Sequence, residues 1–387
     1  MTLKEELEIL RGTPIKVFDG DPLSIPCIET SDVVQLCKHP VVSVHMLTYN
    51  HEPYIRQAIE GVMAQKTDFE FELVIGEDCS KDKTREICFE YQKKYPDKIR
   101  VLWWHENVSK YGGNLRRITA HCRGEFIAFC EGDDYWIDPL KLQKQVDAMR
   151  KYPNVGLCFC DAKLYWQCED RYELWKCNAF DSGVIPGKRF LLFHLFGVNP
   201  GLPPGNEGFI MTATVMIRTK YYYEASSRYE VFNWMLYLGD KVFWYGISSL
   251  SDAFYLNDEV AVYRRVPTGM MSTMSAHVFR DSALLRMYYP IVVFGISAYS
   301  LPAFVLSQYL CGFLCFKSLK SRLILKSLLG VFRTRFIVLL FRRSFLMHWL
   351  LLVNLLAERL IEKLLGSQRR WRVPSRILKL YKQYGAS

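Results

Sequence analysis

The 387 residues are half apolar and 23% charged, enough to build a sizeable core and too apolar for a disordered chain. The net charge of +10 is uneven: residues 281–387 carry 17 Lys/Arg and 3 Asp/Glu, which is +14, and residues 1–280 carry −4. That distribution argues against a body that grips nucleic acid and leaves the basic character to a tail suited to an anionic surface.

The opening MTLKEELEIL has no apolar signal core, so the body is expected to stay in the cytosol. The twelve cysteines include no CxxC pair and are expected to be reduced, mostly buried thiols. Residues 1–39 lack periodicity and form an N-terminal extension. From residue 40 the pattern changes. Val41 to Leu47 predicts a strand ending in Thr48-Tyr49-Asn50. Pro53 suits a first helical position, and Ile55, Ile59, Val62 and Met63 share one helical face. Phe69 to Ile75 predicts a second strand, ending in Gly76-Glu77-Asp78, before a polar helix over 82–95. Ile99 to Trp104 predicts a third strand, 114–122 a helix, and Glu125 to Cys130 a fourth strand. That strand runs into Glu131-Gly132-Asp133-Asp134, and Asp138-Pro139 opens another helix. Such alternation predicts a parallel α/β sheet with its ligand site beyond the carboxyl ends of the strands. Residues 153–265 read as mixed strands and loops, a second half closing over that site.

Three strand ends carry polar sets: Thr48 to Asn50, Glu77-Asp78 and Glu131 to Asp134. No GxGxxG or other Gly-rich phosphate cradle is present. Acidic groups repel a diphosphate unless a divalent cation lies between them, and adjacent carboxylates repel each other until a cation relieves them. Hard oxygen ligands suit Mg²⁺ or Mn²⁺. The pattern therefore points to a nucleotide diphosphate held through a metal, against the plainer reading of Asp133, Asp134 and Asp138 as turn and cap residues.

The stretches VSVHMLTYN (42–50), FELVIGEDCSKDKT (71–84), GGNLRRITAHCRGEFIAFCEGDDYW (112–136), DPLKLQKQ (138–145), YLGDKVFW (237–244) and YLNDEVAVYR (255–264) occur in order. Together they resemble family 2 glycosyltransferases of the GT-A fold, and GEFIAFCEGDDYWIDPLKLQKQ is especially close to members that build bacterial surface polysaccharides. The resemblance covers residues 40–265. It implies a Rossmann-like mixed α/β sheet that binds a nucleotide-diphospho-sugar, a UDP-sugar as the family-level donor, and a polysaccharide or lipid-linked sugar acceptor. Position by position, it implies that Tyr49 lines the base pocket and that Asp78 bonds the base or ribose. Asn114 or Arg116 would lie beside the nucleotide. Glu131, Asp133 and Asp134 occupy the acidic metal motif, with Asp133 and Asp134 as the preferred metal and ribose contacts. Glu131 stands where many members have Asp.

Inversion at an anomeric carbon needs one base, well separated from the metal motif. Asp240 matches the family's base position; by sequence alone it also reads as a helix-start aspartate before Val242, Phe243 and Trp244. Arg264 and Arg265 end a strand-like stretch, and Arg264 is a candidate diphosphate contact. Many relatives have a His close after this Arg, where Val266 stands here.

Residues 266–387, basic and apolar, are expected to form a helical C-terminal region. Within it, 287–316 contain no charged residue, more than one bilayer crossing needs, and Pro302 divides the run. The following Lys/Arg-rich stretch would lie outside after a single crossing. A re-entrant or in-plane arrangement at the inner face of the cell membrane fits both features, against the plainer reading of a soluble helical extension packed on the body or in a dimer. Two other functions compete: a non-catalytic nucleotide-sugar-binding module on the same fold, and a nucleotidyltransferase. The second usually needs a Gly-rich basic loop near its start, and none is present.

Overall fold

The computed structural model describes residues 25–109, 114–177, 180–196, 210–228 and 239–266. The predicted C-terminal region, including 287–316, lies beyond them, as do residues 1–24 of the extension. Among the described residues no helix is long and apolar enough to cross a membrane.

The first half alternates as the periodicity predicts. Strand β2 (Val42–Thr48) leads to α1 (Ile55–Met63), then β3 (Phe71–Glu77), α2 (Thr84–Lys94), β4 (Ile99–Trp103), α3 (Asn114–His121), β5 (Phe126–Phe129) and α4 (Lys141–Lys151). Strands β2 and β3 are buried almost throughout, which is why they read as continuous apolar runs without alternation. Helix α1 buries Ile55, Ala58, Ile59 and Val62, one stripe at helical spacing. It begins two residues after Pro53, because Tyr54 and Ile55 first turn back onto the carbonyl of His51.

The extension contributes a short strand, β1 (Ile28–Thr30), antiparallel to β4. Glu29 fastens it by pairing with Arg100 of β4 at 2.8 Å. Arg100 also reaches the fully buried Glu72, which Arg123 approaches to 2.6 Å and to which Ser43 donates at 2.6 Å. A buried carboxylate needs such partners.

Strands β4, β3, β2 and β5 lie side by side and parallel. The chain adds β3 and β4 on one side of β2 and returns to add β5 on the other. The gap between the ends of β2 and β5 is therefore a topological switch point, where open α/β sheets bind ligands. The second half turns the sheet mixed. Its strands are β6 (Tyr135–Trp136), β7 (Val155–Trp166), β8 (Arg171–Trp175), β9 (Gly183–Ile185), β10 (Met216–Arg218) and β11 (Asp252–Arg265). Strand β10 inserts antiparallel between β5 and β7, β11 runs parallel to β7, and β6 closes antiparallel on β11. Helices α5 (Gly187–Phe196), α6 (Thr219–Arg228) and α7 (Gly239–Leu250) lie between these strands in the chain.

His45 is sealed into β2, 2% exposed, with Nε2 at 3.2 Å from the carbonyl of Leu115 and its ring 5.2 Å from that of Phe129. Burial pulls its pKa down to about 4. The unfolded chain takes a proton near the ordinary histidine value and the folded chain resists it. Stability is therefore full above about pH 6.5 and drains away as pH falls toward 4, by about 3 kcal/mol in all. Urea unfolding at pH 7 and pH 5 should show this loss, and His45→Gln should flatten it. An equal loss in the variant would place its cause elsewhere.

Candidate active site

The loops after β2 and β3 are built as one piece. Asn50 and Cys79 both take left-handed backbone, at φ 54° and 60°. Asn50 donates its N–H to Ser80 Oγ at 2.9 Å and accepts from the N–H of Lys81 at 2.8 Å. His51 and Glu52 donate their N–H groups to Thr84 Oγ1 and Asp82 Oδ2. Glu77 is fully buried, accepts from the N–H of Ser80 at 2.6 Å and pairs with Arg85. Asp78, 2% exposed, accepts the N–H of Val108 at 2.6 Å and that of Ser109 at 3.1 Å. Its carboxylate thus holds the loop after β4 at the sheet edge, and any base or ribose contact shares oxygens already bonded to the chain. Tyr49 follows Thr48, whose carbonyl accepts the N–H of Asp78, and is 37% exposed.

The acidic loop leaves β5 against the end of β2, with Cys130 and Gly132 donating N–H groups to the carbonyls of His45 and Leu47. A Cβ on Gly132 would come within 2.6 Å of Thr48 Oγ1 and 2.9 Å of His51 Nδ1, so only glycine permits this approach. The three carboxylates then divide. Glu131 Oε2 is buried without a hydrogen-bond partner, and burial, with the charges of Asp133 and Asp240, pushes its pKa up to about 8. Asp133 keeps about a quarter of its side chain exposed, with Oδ2 4.0 Å from His51 Nε2. Burial lowers the pKa of His51, which leaves this contact weak at neutral pH. Asp134 is 2% exposed and accepts the N–H of Arg264 at 2.8 Å. Burial, then the charges of Asp133 and Glu131, raise it well above the usual carboxylate range.

Arg264 braces this loop from β11. Its Nε donates to the carbonyl of Asp133 at 2.8 Å, and another guanidinium nitrogen meets Gln57. The guanidinium lies 4.7 Å from the ring centre of Tyr135 and 5.1 Å from that of Tyr54. Val266, where many relatives carry His, is buried.

Asp240 lies in the first turn of α7, as a helix-start aspartate would, and its charge is among those that raise Glu131. Thr212 Oγ1 donates to its Oδ2 at 3.0 Å. Thr212 opens a short helical turn, Thr212–Thr214, pinned by Trp136 Nε1 on the carbonyl of Ala213 and Gln145 Nε2 on that of Thr214, both at 2.8 Å. Nothing in the sequence marked Thr212, His51 or Tyr54, which gain their places only through contacts distant in the chain. Asn114 starts α3, and its side chain is beyond what the structure describes. Arg116 lies beside Tyr222 of α6, where its charge opposes the burial that holds the phenol at about 12.

Among the described residues no group of three or more His, Cys, Asp or Glu converges as a self-sufficient metal cage. The donor set fits a looser mode. The orphaned Glu131 oxygen and the partly exposed Asp133 would supply hard oxygen ligands. Mg²⁺ or Mn²⁺ held by one or two carboxylates is completed by phosphate oxygens and water.

Comparison with known proteins agrees with this geometry. Residues 43–199 match the family model described as Glycosyl transferase family 2. An uncharacterized protein of Mycobacterium bovis is 39% identical over 126 residues, 33% of this chain and 36% of that protein. The putative teichuronic acid biosynthesis glycosyltransferase TuaG of Bacillus subtilis is 35% identical over 112 residues, 28% of this chain and 42% of that protein. The matched segment thus spans about two-fifths or less of these curated relatives. The structure of S. aureus TarS with UDP-GlcNAc superposes with a TM-score of 0.52 at 18% identity, covering 80% of this chain and 79% of that one. Residues 43–199 thus carry a segment of the glycosyl transferase family 2 type, set in a GT-A-like mixed sheet, and the chain resembles the enzymes of bacterial surface-polysaccharide assembly.

Proposed function

We propose that the chain transfers a sugar from a nucleotide-diphosphate sugar to a hydroxyl acceptor with inversion, in assembling a cell-surface polysaccharide or glycolipid. The observation that supports this reading is that Asp240, distant in sequence, is held by Thr212 and its charge reaches the buried Glu131 of the acidic loop. In this reading Asp240 accepts the proton of the attacking hydroxyl, and Thr212 holds the carboxylate in place. Glu131 and Asp133 hold Mg²⁺ or Mn²⁺, which when bound neutralises charge on the diphosphate. Asp134 and Arg264 fix the loop that carries them. Tyr49 and Asp78 border the pocket for the base, and UDP is the proposed nucleotide, as TarS was solved with UDP and with UDP-GlcNAc.

The test is a donor screen on the full chain, with Mn²⁺ and with a chelator. Transfer from one donor class, falling about 100-fold or more in chelator, is expected. Turnover untouched by chelator with every donor would sink the metal role, and nucleotide binding without turnover would favour a non-catalytic module.

A lipid-linked acceptor would account for the uncharged 287–316 run and the basic stretch after it, and would put the protein at the inner face of the cell membrane. After detergent-free lysis the full chain should sediment with membranes and be released by truncation at 280. A full chain found wholly in the supernatant overturns this.

A further inference from the structure

Strands β6, β11, β7 and β8 lie side by side next to the acidic loop, and one face of this four-strand region forms an open groove. The registers Tyr135↔Val262, Val262↔Lys163 and Lys163↔Leu174 set four side chains in one row across it. Two residues further along the strands, Arg264, Tyr165 and Tyr172 form the next row. The groove measures roughly 580 Å³, within the range of small-ligand sites. Large apolar and aromatic groups stay in water there: Tyr172 is 53% exposed, Leu174 50% and Ile137 39%. Tyr172 is nonetheless held in place. Its ring stacks on Tyr165 at 4.5 Å, and its hydroxyl lies 3.3 Å from that of Tyr135.

The chemistry of this face selects among occupants. Lys163 pairs with Glu259 at 3.5 Å, and Glu173 lies beside them. A rim with charges of both signs does not suit a polyphosphate chain, which needs a net basic surface. It interrupts the apolar area that a membrane or an amphipathic helix would cover. Aromatic faces ringed by mixed donors and acceptors do match a sugar, which presents C–H groups on its ring faces and hydroxyls around its rim. Position agrees with this. Tyr135 directly follows Asp134, and Arg264 donates its N–H to that same Asp134, so the groove starts where the acidic loop ends.

We propose that this face binds a neutral oligosaccharide, the part of the acceptor chain remote from the reacting hydroxyl, with Tyr172 as its stacking platform. The acceptor role rests on the transferase reading above; the binding of glycan does not. The full chain, Tyr172→Ala and Tyr172→Trp are to be tested for retention on an array of short neutral gluco-, galacto-, rhamno- and N-acetylglucosamine oligomers. UDP affinity and acceptor KM are measured alongside. The wild-type chain should retain one oligomer class. Tyr172→Ala should weaken retention and raise acceptor KM about tenfold, and Tyr172→Trp should keep both near wild type. UDP affinity should be the same in all three, which separates loss of the platform from misfolding. A blank array for the wild-type chain, or retention unchanged in Tyr172→Ala, overturns the proposal. So does a concentration-dependent dimer that Tyr172→Ala abolishes without any glycan retention, which would give the face to a second copy. Glycan retention that depends on Tyr172, with no donor turned over, would sink the transferase reading and leave the glycan face standing.

Discussion

Asp240→Asn is expected to lower kcat for sugar transfer about 10³-fold, a loss of about 4 kcal/mol of transition-state stabilisation, while donor affinity stays within about twofold. The amide keeps the shape of the side chain and still offers an oxygen to Thr212 Oγ1, which now donates to the carboxylate at 3.0 Å. What it loses is the ability to take a proton. Glu131 and Asp133 cannot substitute, since in this mechanism both are committed to the cation and the diphosphate. The plainer role of Asp240, a negative charge in the first turn of α7, predicts a different outcome. Removing such a charge costs about 0.3–1 kcal/mol of stability and leaves chemistry nearly untouched. Transfer, nucleotide affinity and Tm measured together separate the two. Transfer within threefold of wild type at unchanged affinity would remove Asp240 from the mechanism.

The first half of this fold is legible because each signal there is local. Val42 to Thr48 is an apolar run bounded by turn residues, and Ile55, Ile59 and Val62 repeat at helical spacing. Since β2, β3 and β4 are joined by short helical crossovers, their order follows from the alternation. The second half is not legible in this way. Strand β10 has three residues and is placed by pairing with β5 and β7, both far away in the chain. Strand β6 has two residues and exists because β11 returns beside it. Strand β1 is fixed to the sheet by the long-range Glu29–Arg100 pair, and no periodicity in the extension announces it.

The site divides along the same line. The acidic run is visible as a motif, because its carboxylates stand together at Glu131, Asp133 and Asp134. The division of labour inside it depends on burial and on Arg264, about 130 positions away, and so appears only in three dimensions. There the emphasis moves. The sequence pattern offers Asp133, Asp134 and Glu131 as metal ligands, with Asp133 and Asp134 preferred; the mechanism proposed above uses Asp133 with Glu131, because Asp134 accepts a backbone N–H and an oxygen of Glu131 has no partner.

Asp133→Asn should lower transfer by about 10²–10³-fold, with Tm unchanged. Binding of Mn²⁺ to the nucleotide-loaded chain, read by its electron paramagnetic resonance signal, should weaken in parallel. The carboxylate of Asp133 is partly exposed and makes one long contact, to His51, so little of the fold depends on it. Asp134 should behave in the opposite way. Asp134→Asn keeps the oxygen that accepts the N–H of Arg264 and is nearly isosteric, so it should leave both Tm and Mn²⁺ affinity close to wild type. Asp134→Ala leaves the N–H of Arg264 without its acceptor, which costs about 1–3 kcal/mol and loosens the junction of β6 with β11. If Asp134→Asn abolished Mn²⁺ binding and Asp133→Asn spared it, the cation would be held by the inner carboxylate. Arg264 would then have to release its amide contact whenever the metal is loaded, and the loop that now reads as a rigid brace would have to move in each catalytic cycle.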